Sequence, residues 1–214
     1  MMIKNLKYMD IEYTNKDLDY IDYLCEIVEK NSEEIVIFFE LKEYGEKTHV
    51  KLFDNLDDFR TYFKKCNNME LDWACGFAKD NNFYTLTLDQ LKLVRTHENE
   101  DLEDLIKLIL HEFVHTVHNK RLNFNEHNCH KWVSEGVAVY LSKQHENINE
   151  INCSYNQFIT RNYYGYYKLL FQYVLNKYGK KFILELIDGK IISNEECQNL
   201  FDETKEYYNK KILL

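Results

Sequence analysis

The stretch "NEDLEDLIKLILHEFVHTVHNK", residues 99–120, constrains this chain more than any other. Acidic side chains crowd its first turn, where the positive end of a helix dipole favours them. Behind them Leu105, Ile106, Ile109, Leu110, Phe113 and Val117 recur at three- and four-residue intervals. That period belongs to one apolar helix face and not to a strand, whose side chains alternate. A long amphipathic helix therefore opens the second half of the chain. The segments that follow, "CHKWVSEGVAVYLSKQ", "NYYGYYKLLFQYVLNKYG", "KKFILELIDG" and "NEECQNLFDETKEYYNKK", predict further helices.

The first half reads differently. "LKYMDIEYT" alternates polar and apolar residues and predicts a strand. From Lys16 the spacing of Ile21, Leu24, Cys25, Val28, Ile35 and Phe39 turns helical. "EEIVIFFEL" has the β-branched and aromatic composition of a strand, but its register continues that helix. "THVKLFD" predicts a strand. "NLDDFRTYFKKC" predicts an amphipathic helix with Phe59, Tyr62, Phe63 and Cys66 on one stripe. "WACGFA", "KDNN" and "FYTLTL" predict a hairpin. Strands early and helices late define an α+β chain. It divides into an N-terminal mixed β-sheet lobe with helices, residues 1–98, and a C-terminal helical lobe, residues 99–214.

Composition narrows the function. With 214 residues and 45% apolar content, the chain suits one domain or two small lobes sharing a core. A net charge of −9 argues against nucleic acid as a partner, since phosphate binding rests on clustered Lys and Arg. No apolar run approaches membrane-spanning length, and no membrane partner is expected. The N-terminal residues alternate and lack a signal-peptide core, so the chain reads as cytoplasmic unless a leader has been removed. Cys25, Cys66, Cys75, Cys129, Cys153 and Cys197 include no C-x-x-C pair and predict reduced thiols. Oligomeric state has no signature here.

Within the long helix, "HEFVH" places His111 and His115 four residues apart, on one face about a turn from each other. Two imidazoles so placed can meet one zinc ion at about 2.0–2.1 Å. Glu112 lies roughly 60° round the helix from His115 at 3.6 residues per turn. It can sit beside the metal without ligating it, where a general base for water belongs. A catalytic zinc takes three protein ligands. His118 lies about 10 Å along the axis from His111 at 1.5 Å per residue, too far for one ion to bridge. Arg121 stands where H-E-x-x-H-x-x-G-x-x-H enzymes carry a third His, which excludes that family. His127, Cys129 and His130 remain competing ligands. So does Glu135 in "WVSEGVAVYL", a carboxylate in an apolar helical setting where a bare charge is expensive unless paired or metal-bound.

The combination of "HEFVH" with Trp132, Glu135, Gly136 and Ala138 resembles the gluzincin zinc peptidases, the thermolysin-like clan with its compact peptidase MA-like members. The resemblance covers most of the chain in outline and is specific only from His111 to Leu141. It implies Zn2+ held by His111, His115 and Glu135 at a site between the two lobes. It implies a peptide or protein substrate and hydrolysis with Glu112 as general base. It implies that Cys75, Gly76, Phe77 and Ala78 form an edge strand that pairs with extended substrate. It further implies a Tyr that donates to the developing oxyanion, best matched by Tyr164 among its neighbours Tyr163, Tyr166 and Tyr167. In one respect the sequence departs from thermolysin, which has an Asp four residues after its glutamate ligand to orient the first His. Val139 stands there, so another group must take that role. The same residues also fit a non-catalytic zinc or peptide-binding module, or a zinc hydrolase of another amide.

Overall fold

The computed structural model describes residues 1–122 and 129–211; the competing ligand His127 lies outside them. The chain divides into two compact units, Met1–Lys120 and Arg121–Leu214. The division after Lys120 falls one helix later than the one expected after residue 98. The fold is a five-stranded mixed sheet with, among the described residues, eight α-helices.

In the first unit, strands β1 (Met2–Asn5), β2 (Met9–Tyr13), β3 (Thr48–Phe53), β4 (Gly76–Lys79) and β5 (Asn82–Leu86) are ordered β1-β2-β3-β5-β4. The two central pairings, β2–β3 and β3–β5, are parallel, and both edges pair antiparallel. Parallel neighbours need long crossovers. Helix α1 (Ile21–Phe38) supplies the first and α2 (Leu56–Asn67) lies within the second. Met9, Ile11, Val50, Leu52, Phe83 and Leu86 are buried along β2, β3 and β5. Phe59 and Phe63 of α2 pack their rings 5.9 and 5.2 Å from that of Phe77.

Of residues 6–14, expected as one strand, Met9–Tyr13 is strand β2, and residues 6–8 are the turn that joins it to β1. Leu6 is buried and donates its N–H to Met9 O at 2.9 Å across the turn. The turn is fixed from outside the segment, because Lys7 N–H donates to Glu29 Oε1 at 2.9 Å. Alternation within the segment carries no trace of that distant partner. "EEIVIFFEL" does continue the helix, to Phe38, and Glu40 then turns left-handed at φ 53°.

After the short α3 (Leu88–Leu91), α4 (Leu102–Arg121) is the long amphipathic helix. Asp101 caps it, accepting from the N–H groups of Glu103 at 2.8 Å and Asp104 at 3.1 Å. Its Phe113 and His118 rings lie 5.7 Å from Tyr44 and 5.9 Å from Phe39, so it packs with the unit that holds the sheet.

In the second unit, α5 (Lys131–Leu141) runs close to α7 (Tyr164–Ile187). The short α6 (Tyr155–Thr160) places Phe158 5.0 Å from Tyr167 of α7 and 4.8 Å from Phe201 of α8 (Asn194–Lys211). The two helices expected over residues 162–189 are the halves of α7, broken at Gly179 with φ 82° and ψ 169°. No helix among the described residues is long and apolar enough to cross a membrane. All six cysteines are free.

Candidate metal centre

Helix α4 buries Leu105, Ile109, Phe113, Val114 and Val117, and this apolar face sets its rotation. His111 is buried and His115 half-buried. The two rings sit edge to face, 4.9 Å between centroids, with their Nε2 atoms 3.2 Å apart. Two nitrogens at 2.0–2.1 Å from one tetrahedral zinc lie about 3.3–3.4 Å apart, so the pair already has the spacing of two ligands to a single ion. Glu112, the next residue on the helix, is half-buried. Its carbonyl oxygen accepts from Thr116 Oγ1 at 3.1 Å.

Glu135 lies on α5, a helix otherwise lined with Trp132, Val133, Val137, Ala138 and Val139, all buried. Gly136 explains how that helix can come so close to its neighbour. A Cβ there would stand 2.8 Å from both the carbonyl oxygen of Tyr167 and the Cβ of Phe171 on α7. Burial, and after it the Glu135 charge, push the Tyr167 hydroxyl up.

His111, His115 and Glu135 each offer one ligand atom, and these atoms lie within 4.8 Å of one another. It is the one such group of three or more His, Cys, Asp and Glu side chains among the described residues. Two imidazoles and a carboxylate make a mixed nitrogen–oxygen donor set, which suits zinc.

Other residues singled out around this stretch, the competing ligands Cys129 and His130 among them, have their own surroundings. His118 is fully buried in the core. Arg121 forks onto Asp188, with Nε and Nη2 each 2.6 Å from a carboxylate oxygen. His130 Nε2 donates to Ile192 O at 3.1 Å. Burial pushes the Cys129 thiol up, away from the thiolate form that binds metal. Val139 is fully buried.

Tyr164 begins α7 and is half-buried, its ring 6.2 Å from that of Tyr167. Three neighbouring hydroxyls have partners within the second unit. Tyr167 donates to Arg161 O at 2.7 Å. Tyr163 accepts from Arg161 Nη1 at 3.2 Å, and Tyr166 from Asn152 N at 3.4 Å.

The expected substrate strand maps onto β4, the last strand of the sheet. Gly76, Phe77 and Ala78 lie in it, and Cys75 precedes it. The pairs are Gly76–Thr85, Phe77–Tyr84, Ala78–Phe83 and Lys79–Asn82. Asp80 and Asn81 form a two-residue loop, so Lys79 and Asn82 close it as a hydrogen-bonded pair and the pattern alternates from there. Phe77 thus bonds inward to β5, and Gly76 and Ala78 turn their N–H and C=O groups outward. Phe77 is buried and Ala78 exposed.

Comparison with protein-family models and with curated proteins finds no match to this chain.

Proposed function

We propose that this chain is a zinc-dependent metallopeptidase of the gluzincin type. One observation carries the reading: the ligand atoms of His111, His115 and Glu135 lie within 4.8 Å of one another, with Glu112 next to His111 on the same helix. His111, His115 and Glu135 would hold the ion, the two imidazoles through Nε2 and Glu135 through its carboxylate. When bound, zinc would supply Lewis acidity for a carbonyl and for water. Glu112 takes a proton from the attacking water and passes it to the departing amine nitrogen. Tyr164 donates to the oxyanion that develops on the substrate carbonyl. Gly76 and Ala78 of β4 hold the peptide by main-chain pairing, which sets its direction.

The test is a peptide-library digest by protein of known metal content, with chelator, without it, and after zinc is restored. The expected result is about one zinc per chain, as three ligands at a single ion imply, and cleavage that disappears with chelator and returns with zinc. Zinc bound without cleavage of any peptide would overturn the peptidase reading. Failure to take up zinc at all would overturn the centre itself.

A further inference from the structure

The edge hairpin and the helix of the two imidazoles are joined through a loop that the proposed hydrolysis does not use. Residues 39–47 lead from α1 to β3, and Glu46 stands near their end. Its carbonyl accepts from two side chains at once. Lys120 Nζ, in the last turn of α4, donates to it at 2.7 Å. Asn81 Nδ2, in the loop between β4 and β5, donates to it at 3.3 Å and to Lys47 O at 2.9 Å. Thr48 Oγ1 of β3 donates back to Asn81 Oδ1 at 3.3 Å, so both ends of the Asn81 amide are engaged.

A second link runs beside the first. The Lys120 ammonium lies over the Tyr44 ring, 4.4 Å from its centroid, as a cation attracted by an aromatic face does. The same ring is 5.7 Å from that of Phe113, which stands between His111 and His115 on α4. The Tyr44 hydroxyl is 2.6 Å from Thr48 Oγ1, which carries the link on to Asn81. Partial burial lowers the Lys120 ammonium from its ordinary value, the sign of a charge drawn out of water against these partners. Lys120 is about 7.5 Å along the helix from His115, at 1.5 Å per residue. Both links lie within the first unit, which holds all of β4 and both imidazoles.

We propose that Lys120 and Asn81 are positioning residues for peptide cleavage: meeting at the Glu46 carbonyl, they hold the tip of the β4–β5 hairpin at a fixed offset from α4. This role rests on the zinc peptidase reading, since it needs a bond to be cut. What the tie fixes is register. Residues of an extended peptide repeat every 3.2–3.4 Å, so neighbouring scissile carbonyls are that far apart. An edge that drifts by half this spacing along the peptide presents two bonds equally to an ion on α4. Strand β4 is the last of the sheet and pairs with β5, so its own ladder does not oppose movement of the hairpin tip against the helix. Misplacement by about 1 Å can cost on the order of 10²-fold in rate even when its origin is far from the chemistry.

The experiment compares wild type with Lys120→Met, Lys120→Arg and Asn81→Asp, each loaded with zinc and given one long peptide, with the products resolved by mass spectrometry. Lys120→Met keeps the apolar stem over Tyr44 and removes the donor and the charge. Asn81→Asp keeps the acceptor for Thr48 and removes the donor to Glu46 and Lys47. Wild type should cut predominantly at one bond. Lys120→Met and Asn81→Asp should each spread cleavage to adjacent bonds and lower kcat by about 10- to 10²-fold, with zinc content unchanged. Lys120→Arg, still a cation and a donor, should restore the single cut. A tie of structural value alone would lower Tm or the folded fraction and leave the choice of bond as it was. Wild-type product ratios in a folded, zinc-loaded Lys120→Met or Asn81→Asp protein would overturn the positioning role and leave the peptidase reading standing. A wild type that takes up zinc and cuts no peptide would overturn both together. Either of the two variants decides the matter if the other fails to fold.

Discussion

Gly136→Ala is the most informative single change. In an isolated helix it would stabilise by about 1 kcal/mol, the propensity difference between the two residues. Here the new methyl carbon would sit 2.8 Å from the Cβ of Phe171 and 2.8 Å from the carbonyl oxygen of Tyr167. Carbon atoms at ease lie about 3.5–4.0 Å apart, so roughly 1 Å must be found. Neither obstacle is the far end of a flexible side chain; one is backbone and the other is attached to it. Helix α5 or α7 has to shift as a body. Overpacking costs about 1–3 kcal/mol, and obstruction by backbone belongs at the upper end, so the net loss is about 2 kcal/mol after the propensity gain. For a protein of this size that lowers Tm by about 4–8 °C. Thermal melts followed by circular dichroism, with zinc titration alongside, read both consequences. Zinc affinity should fall as well, because Glu135 is the preceding residue and moves with the helix. A Gly136→Ala protein as stable as wild type would refute the idea that this glycine sets the spacing of α5 and α7.

Three further outcomes follow from particular residues. Glu112→Gln should retain zinc by elemental analysis and lose peptide hydrolysis by on the order of 10²–10⁴-fold, since an amide cannot take the water's proton; wild-type turnover would remove Glu112 from the role of base. Ala78→Pro deletes an outward N–H, which an edge strand tolerates, and should slow cleavage of long peptides while sparing zinc and fold; Phe77→Pro breaks an inward bond and displaces a buried ring, so it should instead lower Tm. If Ala78→Pro leaves cleavage of a long peptide unchanged, strand pairing gives way to side-chain pockets. His97 is held at about 10 against an ordinary 6.5, so its contribution to stability is complete below pH 6.5 and lost as pH rises through about 10. Urea midpoints of wild type and His97→Gln should differ most near pH 6 and converge towards pH 10, and a gap that widens with pH would contradict this.

Local patterns determined a large part of this protein. The stripe behind Asp101 specifies α4, because a 3.6-residue period leaves no other way to gather its apolar groups. Four-residue spacing on that helix then dictates that His111 and His115 share a face, and their Nε2 atoms are 3.2 Å apart. The hairpin of β4 and β5, the break in α7 at Gly179 and the helical reading of residues 35–38 were legible for the same reason: each depends on neighbours in sequence. Tertiary structure decided what depends on distant partners. The turn at Lys7 is held by Glu29, and residues 6–14 alone do not reveal it. The fate of Arg121 was set by Asp188, 67 residues away. Which backbone groups of β4 face outward followed from its register against β5. Periodicity records which face of an element is buried; it does not record what lies across from that face, and side-chain chemistry between distant residues is settled there.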